Sequence, residues 1–211
     1  AQTNGTLAVY SLERDLKLAG LGFGTADAST VGCSVSAYNA DRSPQTFSFP
    51  FAPISITKGA DDATPDTISV LYGNSPYSVA DVVMDASTTT TKTLRSRSGF
   101  RLGDLAIVFN TATNECAMVE VTSYSPADSL TFQHQTGNYT SFYTGAAVAA
   151  KYNPVAGSPP GFSAGRAFSL GPSPSLNVWS VTRSHATLPD NNLIWSNSLS
   201  ATPTDNAVAE N

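Results

Sequence analysis

Charge is scarce in this chain. Asp, Glu, Lys and Arg together make up 13% of its 211 residues, about half the usual share for a globular domain. With 11 Lys plus Arg against 16 Asp plus Glu, and a net charge of -5, there is no basic stripe to follow a phosphate backbone, which argues against nucleic acid as a partner. Histidine and cysteine are rarer still. His134, His185, Cys33 and Cys116 show none of the close ligand pairs that zinc sites use, so neither a metal nor a cofactor is expected. No apolar run is long enough to span a bilayer and no secretory leader is present. No GxSxG elbow occurs either, because GNSPY around Ser75 lacks the second glycine. No internal repeat and no convincing linker divides the chain, so one globular unit is expected.

What the chain has instead is Ser and Thr in abundance, the composition of many secreted and surface-exposed β-proteins. It also has one stretch with a helical period. In LAVYSLERDLKLAGLGFG, residues 7–24, Ala8, Val9, Leu12, Leu16 and Ala19 fall within an arc of about 100°, extended by Leu7 and Leu18. Thr6, Tyr10, Glu13, Arg14 and Lys17 occupy the other side, with Glu13 and Lys17 at the favourable i,i+4 spacing. Thr3 and Asn4 are candidate N-caps, and Gly20 can close the helix in the left-handed conformation. Asp15 interrupts the apolar arc. A charge there is costly unless satisfied, so it is expected at the edge of the buried face, accepting hydrogen bonds from a neighbouring loop. A catalytic carboxylate would need a second titratable group, and the sequence names none.

The rest reads as strands and turns. Residues 25–45 are small and polar and read as a loop. In TFSFPFAPISI, 46–56, Pro44, Pro50 and Pro53 confine any strand to a sheet edge. ISVLY, 68–72, is a strand candidate, and 79–98 reads as an exposed strand or surface loop. LAIVF, 105–109, is apolar throughout and should pair with CAMVEVTSY, 116–124, as a hairpin. SLTFQHQ, 129–135, is expected to add the third strand of that meander. AAVAAKYNPV, 146–155, leans to strand, and 176–183 with 191–197 reads as a further hairpin.

Other candidates are weighed against plainer readings. GLGFG at 20–24 follows a helix rather than opening one, so it does not present a helix N-terminus to a phosphate. Asp61, Asp62 and Asp66 could gather around calcium, but their spacing is not that of an EF-hand, and a solvated acidic turn is expected. Trp179 and Trp195 could stack a sugar, although core packing is the plainer role. Ser75, His134 or His185 would have to converge with an Asp to make a hydrolase. Cys33 and Cys116 are two separate thiols in a reducing compartment. In an oxidising one they could close a loop of about 80 residues, a bond that chain entropy values at roughly 4–5 kcal/mol.

The ordered set of motifs resembles a family. LERDLKLAGLGFG, 12–24, is similar to the stretch after the membrane-embedded half of the N-terminal helix in type IV pilus minor pilins of the PilW kind. There a leucine-rich helix runs through charged residues into a loop with a cysteine, as Arg14, Asp15, Leu16, Ala19, Gly20 and Cys33 do here. PDTISVLYG, 65–73, resembles the family's strand ending in Tyr-Gly, GFRLGDLAIVF, 99–109, its Gly-Asp-Leu strand, and Cys116 sits where such proteins often place a cysteine. The resemblance covers most of residues 4–135 in order and fades after about 150.

It implies an α+β, pilin-like fold in which an N-terminal α-helix packs on antiparallel β-sheets: residues 1–24 form the last half of that helix with its cap and 25–211 the β-rich head. The implied role is that of a non-enzymatic structural subunit in pilus assembly, with other minor pilins, the major pilin and a tip adhesin as partners. The implied precursor is cleaved by a prepilin peptidase and held in the bacterial inner membrane by a helix preceding Ala1, with the head in the periplasm and then in the pilus. Export in turn implies a Cys33–Cys116 disulfide. Glu13, Arg14 and Lys17 are the expected partner interface, and Leu12 and Leu16 the residues that hold the helix down. The J-type minor pseudopilin of type II secretion is similar in layout. A surface adhesin or carbohydrate-binding module and a secreted hydrolase stand as rival readings.

Overall fold

The computed structural model describes residues 2–24, 26, 30–77, 80–97, 99–127, 129–157, 165–183, 187–188 and 191–208. A helix, α1 (Gln2–Leu18), is followed by strands β1 (Ser34–Tyr38), β2 (Thr46–Pro50), β3 (Ile54–Thr57), β4 (Thr67–Tyr72), β5 (Val82–Ser87), β6 (Thr91–Leu94), β7 (Leu105–Asn110) and β8 (Glu115–Glu120). Then come β9 (Ser123–Tyr124), β10 (Thr131–Gln133), β11 (Asn138–Thr140), β12 (Ala147–Ala149), β13 (Gly165–Gly171), β14 (Ser175–Val181), β15 (Leu193–Asn197) and β16 (Asn206–Ala207).

These strands form a nine-stranded sheet in the order β2-β1-β8-β7-β13-β5-β6-β10-β9, a five-stranded sheet in the order β16-β15-β14-β4-β3, and the ribbon β11-β12. The proline-flanked segments sit where a missing N–H does least harm: β2 and β3 are both edge strands. The expected hairpins form, β7 with β8 (Leu105 opposite Glu120) and β14 with β15 (Trp179 opposite Trp195). The expected meander does not. β10 pairs with β6 and β9 at the far end of the sheet, because the free side of β8 is taken by β1, which pairs parallel to it with Val35 opposite Cys116. That strand lies in the stretch read as a loop, and the Cys33–Cys116 disulfide, with its Cα atoms 6.1 Å apart, fastens it there.

The core has two parts on opposite faces of the large sheet. Ile107, Phe109, Met118 and Phe168 point toward the five-stranded sheet and meet Leu71, Leu176, Phe51 and Phe23. Ala106, Val108, Ala117 and Val119 point the other way and are covered by Met84, Leu94 and Phe132 from β5, β6 and β10 of the same sheet. The large sheet therefore curls over its own second face, and β7 is buried along its whole length, as the unbroken apolar run predicts.

The α+β, pilin-like arrangement of a helix packed on antiparallel sheets is overturned. The molecule is mostly β, its largest sheet is mixed, and α1 is a short helix that does not serve as the spine of the fold. The physical reason lies in how α1 is turned. Its protected residues, Ala8, Ser11, Leu12, Asp15 and Ala19, are centred on Asp15, whereas Val9 and Leu16, at the far side of the expected apolar arc, are 67% and 37% exposed. Spacing shows which residues share a face, but not which way a helix will roll when a buried carboxylate draws it toward hydrogen-bond donors.

Candidate functional site

The region where α1 meets the five-stranded sheet is built from the strand period outward. Residues two apart on a strand face the same side, so Asn177 and Trp179 of β14 project together, and Tyr72, opposite Ser175 on β4, stands beside them. The three side chains form a cup of donors. Asp15, fully buried, accepts from Asn177 Nδ2 at 2.6 Å and Trp179 Nε1 at 3.0 Å on Oδ2, and from the Tyr72 hydroxyl at 3.4 Å on Oδ1. Asn177 Nδ2 also reaches the Tyr72 oxygen at 3.1 Å. Burial above all raises the Tyr72 pKa, with the Asp15 carboxylate adding to it, so the hydroxyl keeps its proton and remains a donor. Hydrogen bonds to a charged acceptor are the strong ones, and these replace the water that Asp15 gives up. The donors come from two strands rather than from the loop expected in the sequence reading.

Just beyond Asp15 the chain is clamped. Gly20 takes a positive φ of 79°, closing the helix as expected, and its N–H bonds to the Leu71 carbonyl at 2.9 Å, while Gly73 N–H bonds to Leu21 O at 2.8 Å. A side chain on Gly73 would stand 2.6 Å from the Leu170 carbonyl oxygen, so the Tyr72-Gly73 pair lets three segments meet. From this clamp α1 reaches outward with Leu7, Val9, Tyr10, Leu16 and Leu18 all more than a third exposed. Glu13, Arg14 and Lys17 lie in solvent. Glu13 and Lys17 pair with each other at 2.7 Å, and Arg14 Nη2 stands 3.7 Å from Asp15 Oδ1. The helix begins at Gln2, which puts Thr3 and Asn4 inside its first turn rather than ahead of it as caps. Leu16 is too exposed to hold the helix down as expected; Asp15 does that.

The other candidates, Trp179 excepted, are placed apart from this cup. The Ser75 hydroxyl accepts from Tyr77 N in a turn, while the buried His134 ring meets Lys92, Nε2 to Nζ 2.9 Å; His185 lies outside the described residues. Trp179 is buried with its indole N–H on Asp15, and the Trp195 ring lies 6.2 Å from it. Asp61 accepts from Ala63 N, Thr64 N and Thr64 Oγ1, and Asp66 accepts from Gly59 N. Among the described residues no group of three His, Cys, Asp or Glu could hold a metal ion.

Sequence reasoning missed the donors Tyr72 and Asn177. The signal was there, since Asn177 is a polar residue sharing a strand face with Trp179. Comparison with protein-family models, with curated proteins and with solved structures finds no match to this chain.

Proposed function

We propose that this protein is a structural assembly subunit, a minor pilin of a type IV pilus in its role, that joins other subunits through α1. The observation that carries the reading is a helix gripped at one end, with one face protected and both flanks of residues 7–18 open. Asp15 and the clamp at Gly20 hold its last turn, while Leu7 and Leu18 on one flank and Val9 and Leu16 on the other stay open to solvent. A helix carrying apolar residues on two flanks can be covered by apolar helices of neighbouring subunits, in the manner of helix-to-helix packing. Glu13, Arg14 and Lys17 supply charge that sets register and orientation more than affinity. The resemblance of residues 12–24, 65–73 and 99–109 to minor pilins of the PilW kind supports the same role, with other minor pilins and the major pilin as partners and a membrane anchor in the precursor.

The test is binding of this domain to the soluble domain of another minor pilin from the same source, measured for the parent, for Val9→Lys with Leu16→Lys, and for Glu13→Lys with Lys17→Glu. Loss of binding in the first variant and a weaker, salt-sensitive loss in the second, both with unchanged melting temperature, is the expected pattern. Binding that survives both sets of changes rules out the Val9–Leu16 flank and the Glu13–Lys17 charges as the interface.

A further inference from the structure

Away from α1, on the face formed by the loop before β7, the start of β9 and the segment after β11, lies an open cavity of about 470 Å³. Its walls are mostly apolar: Phe100, Leu102, Tyr124 and Phe142 line it together with Arg97 and Arg101. Both cations are held against rings. The Arg97 guanidinium lies 3.9 Å from the Tyr124 ring centre and donates to the Ala127 carbonyl at 2.8 Å. Arg101 sits between Tyr77 and Phe142, 4.8 Å and 5.3 Å from their centres, and those rings are each about half exposed. Arg95, Arg97 and Arg101 place three of the chain's 11 cations within seven residues of an acidic protein. The Arg95 side chain is turned away to Asp85 at 2.7 Å, leaving the other two at the cavity.

The carboxylate closest in sequence feels the Arg101 charge but accepts its hydrogen bonds from other groups. Asp104 is buried and accepts from the Arg101 backbone N at 2.9 Å, the Ser169 hydroxyl at 2.8 Å and the Tyr143 hydroxyl at 2.5 Å. It shapes the loop without taking a hydrogen bond from the guanidinium. That side chain donates to the Phe100 carbonyl at 3.1 Å, one of five N–H donors on a guanidinium. A cation pre-oriented by flanking rings at the mouth of an apolar cavity is suited to a carboxylate attached to a flat apolar body. The fork binds both oxygens, and the body replaces water against the rings. The lining has few hydroxyl or amide groups to serve a sugar's hydroxyls, which favours an aromatic body over a glycan. We propose that this cavity binds a small aromatic carboxylate, with its acid group on Arg101 and its ring between Leu102, Tyr124 and Phe142.

The probes are phenylacetate, its neutral amide phenylacetamide, and glucuronate, titrated into the intact protein by calorimetry and by NMR of the backbone amides. Phenylacetate should bind and shift the amides of Leu102 and Phe142, while the amide should bind at least tenfold more weakly, the loss of one charge-assisted contact. Arg101→Gln should lower phenylacetate affinity by a similar factor, and Phe142→Ala, at an exposed ring, should weaken it severalfold with the melting temperature unchanged. If Arg101→Gln does not fold, the acid-to-amide ratio in the parent protein still decides the role of the charge. Equal binding of acid and amide, no shift at Leu102 or Phe142, or glucuronate binding in place of phenylacetate would each overturn the proposal.

Discussion

The two ends of the molecule are fastened by different physics. The face of the large sheet that meets the five-stranded sheet is held by packed apolar side chains, with Phe51, Phe109 and Phe168 all but fully buried, and by a disulfide at β8. The helix is held by one carboxylate in a cup of three donors. Apolar packing is shared among many contacts and tolerates the loss of any one by degrees. A buried carboxylate works all or none, because removing it strands its donors. The difference fits the role proposed above, with a persistent core and a helix presented in one orientation with its flanks uncovered.

The sharpest way to break the comparison is to attack both ends and see how far the damage spreads. Phe168→Ala should cost roughly 3–5 kcal/mol in denaturant unfolding and lower the stability of the whole domain, including β14 and β4. Asp15→Ala should cost about 3 kcal/mol, the scale of breaking a buried charged contact, but its mark should be local: hydrogen exchange should rise in α1 first, with the β7–β8 amides still protected. Asp15→Asn, which retains one acceptor oxygen, should cost clearly less. Uniform loss of protection in Asp15→Ala would show that the helix and the sheets unfold as one unit.

Reducing the Cys33–Cys116 bond should cost about 2–4 kcal/mol, measured by unfolding with and without a reductant. It should loosen β1 and β2 ahead of β7, since that bond fastens the parallel pairing of β1 with β8.

A smaller effect comes from Lys92 and His134, buried side by side between β6 and β10. Burial lowers the Lys92 pKa to about 7, and burial together with the Lys92 charge lowers that of His134 to about 3. In both cases the unfolded chain takes up the proton more readily than the folded one, so stability rises with pH between the folded and unfolded values and falls as pH falls through that window. Stability should therefore rise by up to about 1 kcal/mol per pH unit between pH 7 and 9.5. Above that range the tyrosines whose pKa burial raises, Tyr72, Tyr124, Tyr139, Tyr143 and Tyr152, begin to act in the opposite sense. Lys92→Met should flatten the rise above pH 7. An unchanged slope in that variant would remove Lys92 as its source.

Least of all should change when Glu13 and Lys17 are exchanged. Their pair is exposed, and such pairs contribute about 0.3–0.5 kcal/mol, so melting temperature should hold. Leu16→Ala belongs at this end too. At 37% exposure it cannot incur the cost of a core truncation, contrary to what the helical wheel implies.

Much of the local structure was legible in the residues. The unbroken apolar run 105–109 requires a strand covered on both faces, prolines 50 and 53 require edges, and Gly20 ends the helix because few other residues take its backbone angles without strain. Core packing was the plainer role for both tryptophans; the structure buries Trp179 and leaves Trp195 partly exposed. Which strand lies beside which was not legible. β1 comes from a stretch with no apolar run to mark it, yet it takes the free side of β8 in place of β10, with its Val35 and Ala37 buried and its disulfide on Cys116.

By itself, then, the sequence determined the kinds of most elements, β1 excepted, many of the sites where they end, and the low charge of the surface, because these follow from side-chain size, backbone freedom and spacing along a few neighbouring residues. Tertiary structure alone decided the roll of α1, the donors that satisfy Asp15, and the meeting of Arg101 with Tyr77 and Phe142 at one cavity. Each of those depends on side chains tens of residues apart in the chain. Asp15 lies 162 residues from Asn177 and 164 from Trp179, and what brings them together is the burial of the sheets between them, to which no local pattern refers.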